Sequence, residues 1–329
     1  MFPGKKSPWN FTLNLSKFLQ AKMNVLIFRF LPFHTSRVYL RFLGRIYYGF
    51  RKKEQSLIKG TLKYIFGKEY TPRTLKILYT KTFRGIIDHY HEKLFIAYSN
   101  FPQLMKFFIN RISLSGEDEF KACLDNGQGI ILVTAHYGAV EALPGALAAR
   151  GYPVTMILRF QTERLKKSLV ERAETMDLHL VDLDEGNVFF TAVNALKQGR
   201  ILITECDEFD AWRTSKQYPV SFFGHAMDGD KTLEILRKRS GASVATALMQ
   251  RMGNKRYNMK LTTLITDQSD KRSVGKAALE VLEESIKESP EHWYQWKDFG
   301  EKLEQISRNE NNEKLSEYID RETVDSVSL

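Results

Sequence analysis

The spacing of apolar positions changes at about residues 113–116. Before that point apolar residues recur every three or four positions: Val38, Leu40, Phe42, Leu43, Ile46 and Tyr47 in one stretch, then Leu75, Ile77, Leu78, Phe83, Ile86, Ile87, Tyr90, Leu94 and Phe95 in a second. No turn cluster interrupts the second stretch, and the spacing predicts an all-helical N-terminal third. Beyond it come short β-rich runs: GIILVT (129–134), VTMIL (154–158), LHLVDL (178–183), RILIT (200–204) and ASVATALM (242–249). Segments 139–150, 161–176, 187–199 and 228–240 separate them and are long enough for crossover helices. This alternation predicts βαβ units, hence an α/β fold with a mostly parallel central sheet flanked by helices. YNMKLTTLI (257–265) is a candidate last strand, antiparallel to the rest. Four regions follow: a helical segment (1–68), a helical layer packed on the core (69–115), the α/β core (116–300) and a polar tail (301–329) with little expected structure.

With 43% hydrophobic residues in 329, the chain has ample material for a core. Charge is distributed unevenly: residues 1–68 hold 14 Lys/Arg against one acid, Glu54, while the remainder holds 35 against 38. The basic character therefore belongs to the N-terminal fifth. Its apolar stretch from Val25 to Phe50 is cut by Arg29, Arg37, Arg41 and Arg45, whereas a spanning helix needs about 20 mostly uncharged residues. Arg37, Arg41 and Arg45 recur every fourth position and form one basic stripe among aromatic and aliphatic residues. Such a helix suits an anionic membrane interface, with the arginines reaching phosphates; the plainer alternative is an amphipathic helix packed on the domain. No nucleic-acid reader motif accompanies the basic surface, so no nucleic-acid partner is expected. Cys123 and Cys206, far apart in sequence, read as reduced thiols in a cytoplasmic setting.

In a parallel α/β sheet, functional groups gather beyond the carboxyl ends of the strands. GIILVT leads to His136, VTMIL to Arg159, LHLVDL to Asp182 and Asp184, and RILIT to Glu205 and Asp207. A lone histidine there is more often structural than catalytic. Glu141 strengthens the catalytic reading. On an unbroken helix five residues subtend about 500°, which separates the two side chains. If His136 sits in a turn before the helix, and Gly138 permits that turn, Glu141 can fold back and hold the imidazole tautomer. No G-x-S-x-G or GxxxxGK[ST] occurs, which removes nucleophile-elbow hydrolases and P-loop nucleotide sites. His89, His91 and Glu92 look metal-like but fall in a helical pattern where i and i+2 diverge, so they are expected on a solvated surface. Cys206, between two acids, is expected as a small buried residue.

AHYGAVE, ITECDEF, SFFGHAM, LRKRSGA and ESPEHWYQW together resemble the bacterial lipid A late acyltransferase family, the lauroyl and myristoyl transferases, from about Phe30 through Phe299. The most specific element is H-x4-E, met by His136 and Glu141. Glycerolipid acyltransferases share H-x4-D/E, but their second motif, Phe-Pro-Glu-Gly-Thr-Arg, is absent; Glu205-Cys206-Asp207 stands in its place. Typical members have a more hydrophobic N-terminal anchor and open that acidic segment with Asp. The resemblance implies an O-acyltransferase at the cytoplasmic side of the inner membrane, peripheral or interfacial. It would move a fatty acyl chain from an acyl carrier protein or coenzyme A thioester to a hydroxyl of a lipid or glycolipid, with no cofactor or metal. His136, Glu141 and Glu205 are the expected catalytic residues. Arg159, Asp207, Tyr137 and Gly138 are the expected substrate-binding ones, with backbone N–H groups at the start of the helix after His136 receiving the oxyanion. A non-catalytic scaffold that binds acyl chains, or a glycerolipid acyltransferase, are the alternatives.

Overall fold

A computed structural model describes residues 21–309 apart from Pro32, 161–162, Glu185, 254–255 and 267–268, together with Leu15 and Leu19 ahead of them. Five helices open the chain: α1 (Lys22–Phe30), α2 (Phe33–Phe50), α3 (Lys52–Phe66), α4 (Pro72–Tyr98) and α5 (Phe101–Arg111). Thr71 and Asn100 cap α4 and α5, each accepting a backbone N–H three residues on, with a proline in the first turn where no intrahelical donor is needed. There follow β1 (Ile112–Ser115), α6 (Glu117–Asp125), β2 (Ile130–Thr134), a 3-10 turn (Val140–Ala142), α7 (Leu143–Ala148), β3 (Val154–Leu158), α8 (Glu163–Ala173), β4 (Leu178–Asp182), α9 (Val188–Lys197) and β5 (Ile201–Glu205). A hairpin of β6 (Thr214–Phe222) and β7 (His225–Asp230) leads to α10 (Lys231–Ser240), β8 (Ser243–Arg251), β9 (Tyr257–Ile265), α11 (Val274–Glu288), a 3-10 turn (Pro290–His292) and α12 (Trp296–Asn309).

The main sheet has seven strands in the order β1-β9-β8-β2-β5-β3-β4. Its last five are mutually parallel, while β9 runs antiparallel to β8 and β1 runs parallel to β9. The sheet is therefore mostly parallel, as the alternation of runs predicts, and β9 takes the expected antiparallel direction. All five residues of β2 are buried, which is why GIILVT reads as a continuous apolar run. Two strand pairings were not legible. β1 is only four residues long, and the β6–β7 ribbon carries Pro219 beside a bulge. The ribbon closes through Phe223 and Gly224, both at positive φ (49° and 78°), the two-residue turn that suits the strand twist.

The N-terminal helices pack on α4. Arg37 and Arg41 of α2 both grip Asp88; Arg41 does so through two bonds of 2.8 and 2.7 Å. Ser36 meets the His91 ring at 2.9 Å. Burial alone would push the Asp88 carboxyl up, but the two guanidinium groups prevail and hold it down to about 2. Two of the three stripe arginines thus serve an internal ion pair, contrary to the expectation of a free basic face. Likewise His89, His91 and Glu92 are buried, not solvated. A helix covered on several sides buries residues at i and i+2 against different neighbours, a case the single-face argument omits. Glu92 receives two bonds from Arg251 of β8 (2.9 and 2.8 Å) and one from the Tyr257 hydroxyl. The tail also differs: α12 continues to Asn309, and residues 310–329 lie outside the described residues. No helix among the described residues is long and apolar enough to cross a membrane.

Candidate active site

β2 lies between β8 and β5, so His136 emerges near the middle of the sheet. The β2–β5 register sets Thr134 opposite Glu205, and the Cys206 N–H donates to the Thr134 carbonyl at 2.9 Å, carrying the ladder one residue past the strand end. Asp207 therefore arrives beside His136. One carboxylate oxygen, Oδ2, accepts the His136 main-chain N–H (2.9 Å) and the Trp293 indole N–H (2.7 Å); the other, Oδ1, faces Nδ1 of the imidazole at 3.0 Å. The Asp207 side chain is fully buried. A buried carboxylate is tolerable only when hydrogen-bonded in this manner, and its arrangement assigns the proton to Nδ1. Nε2 is left as the atom facing the cleft.

Around Nε2 stand Glu208 Oε1 at 3.2 Å and Glu205 Oε2 at 3.7 Å. Burial disfavours the imidazolium, yet Glu205, Asp207 and Glu208 outweigh it and raise the His136 pKa to about 10. Burial and the neighbouring carboxylates push Glu205 up to about 7. The Tyr294 ring meets His136 edge-on at 5.2 Å, and the Tyr294 main-chain N–H donates to the His136 carbonyl at 3.1 Å. A cavity of about 350 Å³ opens over His136 and is bounded also by Lys93, Glu141, Glu208, Tyr294 and Lys297. Nε2 and one oxygen each of Glu205 and Glu208 fall within 4.8 Å of one another, close enough for one cation to bridge. The same geometry suits a hydroxyl approaching a base.

The family model of bacterial lipid A biosynthesis acyltransferases matches residues 14–297, which include every residue of this cluster. The chain belongs to that family. No curated protein matches it at a significant level. Membership makes the chain an acyltransferase of lipid A biosynthesis and leaves the catalytic residues, the donor and the acceptor to be argued.

Within this acyltransferase, other residues singled out in the sequence lie elsewhere. Glu141 does not reach His136: it pairs with Lys93 at 3.0 Å and lies 3.6 Å from His89 Nε2. The reason is the intervening backbone. The Gly138 N–H donates to the His292 carbonyl (2.8 Å), the Ala139 N–H to the Met249 carbonyl (3.2 Å), and Arg251 donates to the Gly138 carbonyl (2.6 Å). Gly138 has φ 62°, and a Cβ there would fall 1.5 Å from the Met249 oxygen. Strapped to β8 in this way, the chain turns away from the imidazole before it reaches Glu141. His89, stacked on Tyr294 at 3.9 Å, has its pKa pushed well down by burial and by Lys93.

The N–H groups of Tyr137, Gly138 and Ala139 are all committed within the protein and are not available to an oxyanion. Tyr137 is buried and donates its hydroxyl to the Ser285 carbonyl at 3.0 Å, away from the cleft. Asp207 cannot bind substrate because it is buried and occupied; it orients the histidine. Arg159 is exposed and pairs with equally exposed Asp184 at 3.4 Å, a contact worth little in water. Burial pushes the Glu208 carboxyl up, and Arg159 is only a minor opposing influence on it. Glu205 does lie by His136, as the strand-end argument predicts. Sequence reasoning missed Lys93, Glu208, Trp293 and Tyr294 as site residues. Glu208 adjoins a singled-out acid and was within reach; Trp293 meets the site only through tertiary packing.

Proposed function

We propose that this chain moves a fatty acyl group from a thioester of acyl carrier protein or coenzyme A to a hydroxyl of a lipid A-type acceptor. The observation that carries the reading is the buried Asp207 holding Nδ1 of His136 while Nε2 faces a cavity. The hydroxyl approaches Nε2 in place of Glu208, the more exposed of the two flanking carboxylates. Its oxygen attacks the thioester carbon as its proton passes to Nε2, and the tetrahedral oxyanion collapses to expel the thiolate, which takes the proton back from the imidazolium. Asp207 stabilises that imidazolium, a role sequence proximity had given to Glu141. Lys93 and Lys297 line the cavity and supply cationic groups for phosphates of donor or acceptor. Beside them an apolar pocket, sharing Lys93 and Glu141 with the cavity, receives the acyl chain.

The same reading places the enzyme on the cytoplasmic face of the inner membrane. Val38, Phe42, Ile46 and Phe50 stand at four-residue intervals along α2 and are all exposed, as are Met23, Leu26 and Phe30 on α1. An apolar ridge of that extent beside an N-terminal segment rich in Lys and Arg suits shallow insertion into an anionic surface. The ridge, more than the arginine stripe, carries the docking, since Arg37 and Arg41 are bound to Asp88.

The deciding experiment incubates the purified full chain with acyl thioesters and a lipid extract from a strain lacking its gene. Mass spectrometry should find an acceptor heavier by one acyl group, and His136→Ala should abolish the product while remaining folded. A folded His136→Ala variant with near-normal turnover would overturn the mechanism, and binding of acyl thioester without any transfer would point to a scaffold.

A further inference from the structure

The apolar pocket is lined by Leu104, Phe108, Met156, Leu169, Met176 and Leu180 among others, from α5, β3, α8 and β4 and the segment between the last two. It is narrow, about 70 Å³, but Met156 and Met176 are unbranched side chains that repack readily. Its two limits are shared with neighbouring cavities. Lys93 and Glu141 border both it and the cavity over His136. Arg172 borders both it and a third space, an open groove of about 690 Å³ flanked by Leu26, Phe30 and Phe101.

Helix α4 sets the order of these limits. Lys93 lies on it, and Arg172 of α8 donates to the Ile96 carbonyl at 2.8 Å and to the Ser99 carbonyl. At 1.5 Å per residue those contacts lie about 5 to 9 Å further along the helix axis than Lys93. The carbonyls in question are at the end of α4, where intrahelical donors run out, and Ser168 bonds the Ala97 carbonyl between them. Arg172 is thus fastened in place, with its aliphatic stem available as a wall.

Resting on the acyl-transfer reading above, we propose that Arg172 is the end stop that sets acyl-chain length. A chain whose thioester lies at His136 passes the Lys93–Glu141 pair, fills the apolar pocket and meets Arg172 with its methyl end. Shortening Arg172 joins the pocket to the groove beyond, so a longer chain fits without expelling its tail into water. One methylene in a hydrophobic pocket is worth roughly tenfold or more in preference, so the change is large enough to read.

The test offers the full chain an equimolar series of saturated acyl carrier protein thioesters, octanoyl to stearoyl, with lipid extract from the deletion strain, and reads product masses. Arg172→Ala should raise transfer of chains longer than the wild-type optimum by roughly tenfold relative to that optimum. Leu169→Phe, which fills the pocket, should shift the distribution toward shorter chains. Should Arg172→Ala fail to fold, Arg172→Gln, which retains an N–H donor for the Ser99 carbonyl, carries the test. A folded Arg172 variant with the wild-type distribution overturns the end stop, whereas a wild-type protein that transfers no chain from these thioesters or from the matching coenzyme A series overturns the acyl-transfer reading beneath it.

Discussion

Replacing Asp207 by asparagine isolates the orientation of His136 from its charge. Oδ2 accepts two N–H groups, from the His136 main chain at 2.9 Å and the Trp293 indole at 2.7 Å, so the amide oxygen of an asparagine must take that place. Its NH2 group then faces Nδ1, 3.0 Å from the second carboxylate oxygen in the native protein. A donor facing Nδ1 makes that nitrogen an acceptor and moves the ring proton to Nε2, the atom that has to receive the hydroxyl proton. The shape of the site is unchanged while the tautomer is inverted. A wrong tautomer of this kind in a histidine–aspartate pair costs on the order of 10³- to 10⁴-fold in turnover, equivalent to about 4 to 5.5 kcal/mol of barrier. The assay is acyl transfer under single-turnover conditions, with a melting curve to establish that Asp207→Asn is folded. Glu141→Gln provides the comparison, because a histidine oriented by Glu141 would suffer more from that change than from Asp207→Asn. A folded Asp207→Asn protein within tenfold of wild type, or one less impaired than Glu141→Gln, refutes the argument.

Glu205→Gln removes a charge 3.7 Å from Nε2, an attraction of at most roughly 4.5 kcal/mol at an effective dielectric near 20. The His136 pKa should fall from about 10 by on the order of 1 to 3 units, moving the rising limb of kcat/KM to lower pH; an unmoved limb separates Glu205 from the base. Because the folded-state pKa of His136 is raised, its stabilisation is complete below its unfolded value near 6.5 and disappears as pH climbs through about 10; denaturant titrations should show His136→Ala flattening that decline. Asp88 has the opposite sign: its depressed pKa stabilises above about 4 and is lost as pH falls through about 2. The stability gap between wild type and Asp88→Asn should therefore narrow by about 2 kcal/mol on acidification, and a constant gap contradicts the assignment. Arg251→Met leaves Glu92 buried without its guanidinium and frees the Gly138 carbonyl, so stability should drop by roughly 3 to 5 kcal/mol in chemical denaturation.

Strand ends were a good guide to the site because a parallel sheet aligns them whatever the sequence separation, and His136 and Glu205 illustrate this. Neighbour relations within the sheet were beyond reach. That β5 lies next to β2, with β3 and β4 outside it, is a fact of packing, and it is what delivers Asp207 to Nδ1 while leaving Arg159 on the surface. Proximity in sequence misled at Glu141, since the straps from Met249, Arg251 and His292 that redirect the backbone come from segments more than a hundred residues later. The arginine stripe misled for a similar reason. Periodicity located one face of α2 correctly, but Asp88, which claims Arg37 and Arg41, lies on a different helix. Helix and strand positions depend on local pattern, and the partners of buried charges do not.

Trp293 joins the site from a segment that follows the last strand of the sheet. Because its indole N–H is the second donor to Asp207 Oδ2, a chain ending before residue 293 has the base and its carboxylate but not the group that fixes that carboxylate from the far side. During synthesis, then, competence comes late, because the indole is made only after every strand of the sheet. Acquisition of activity is thereby coupled to completion of the core, since Trp293, Trp296 and Phe299 of this same segment are fully buried in it.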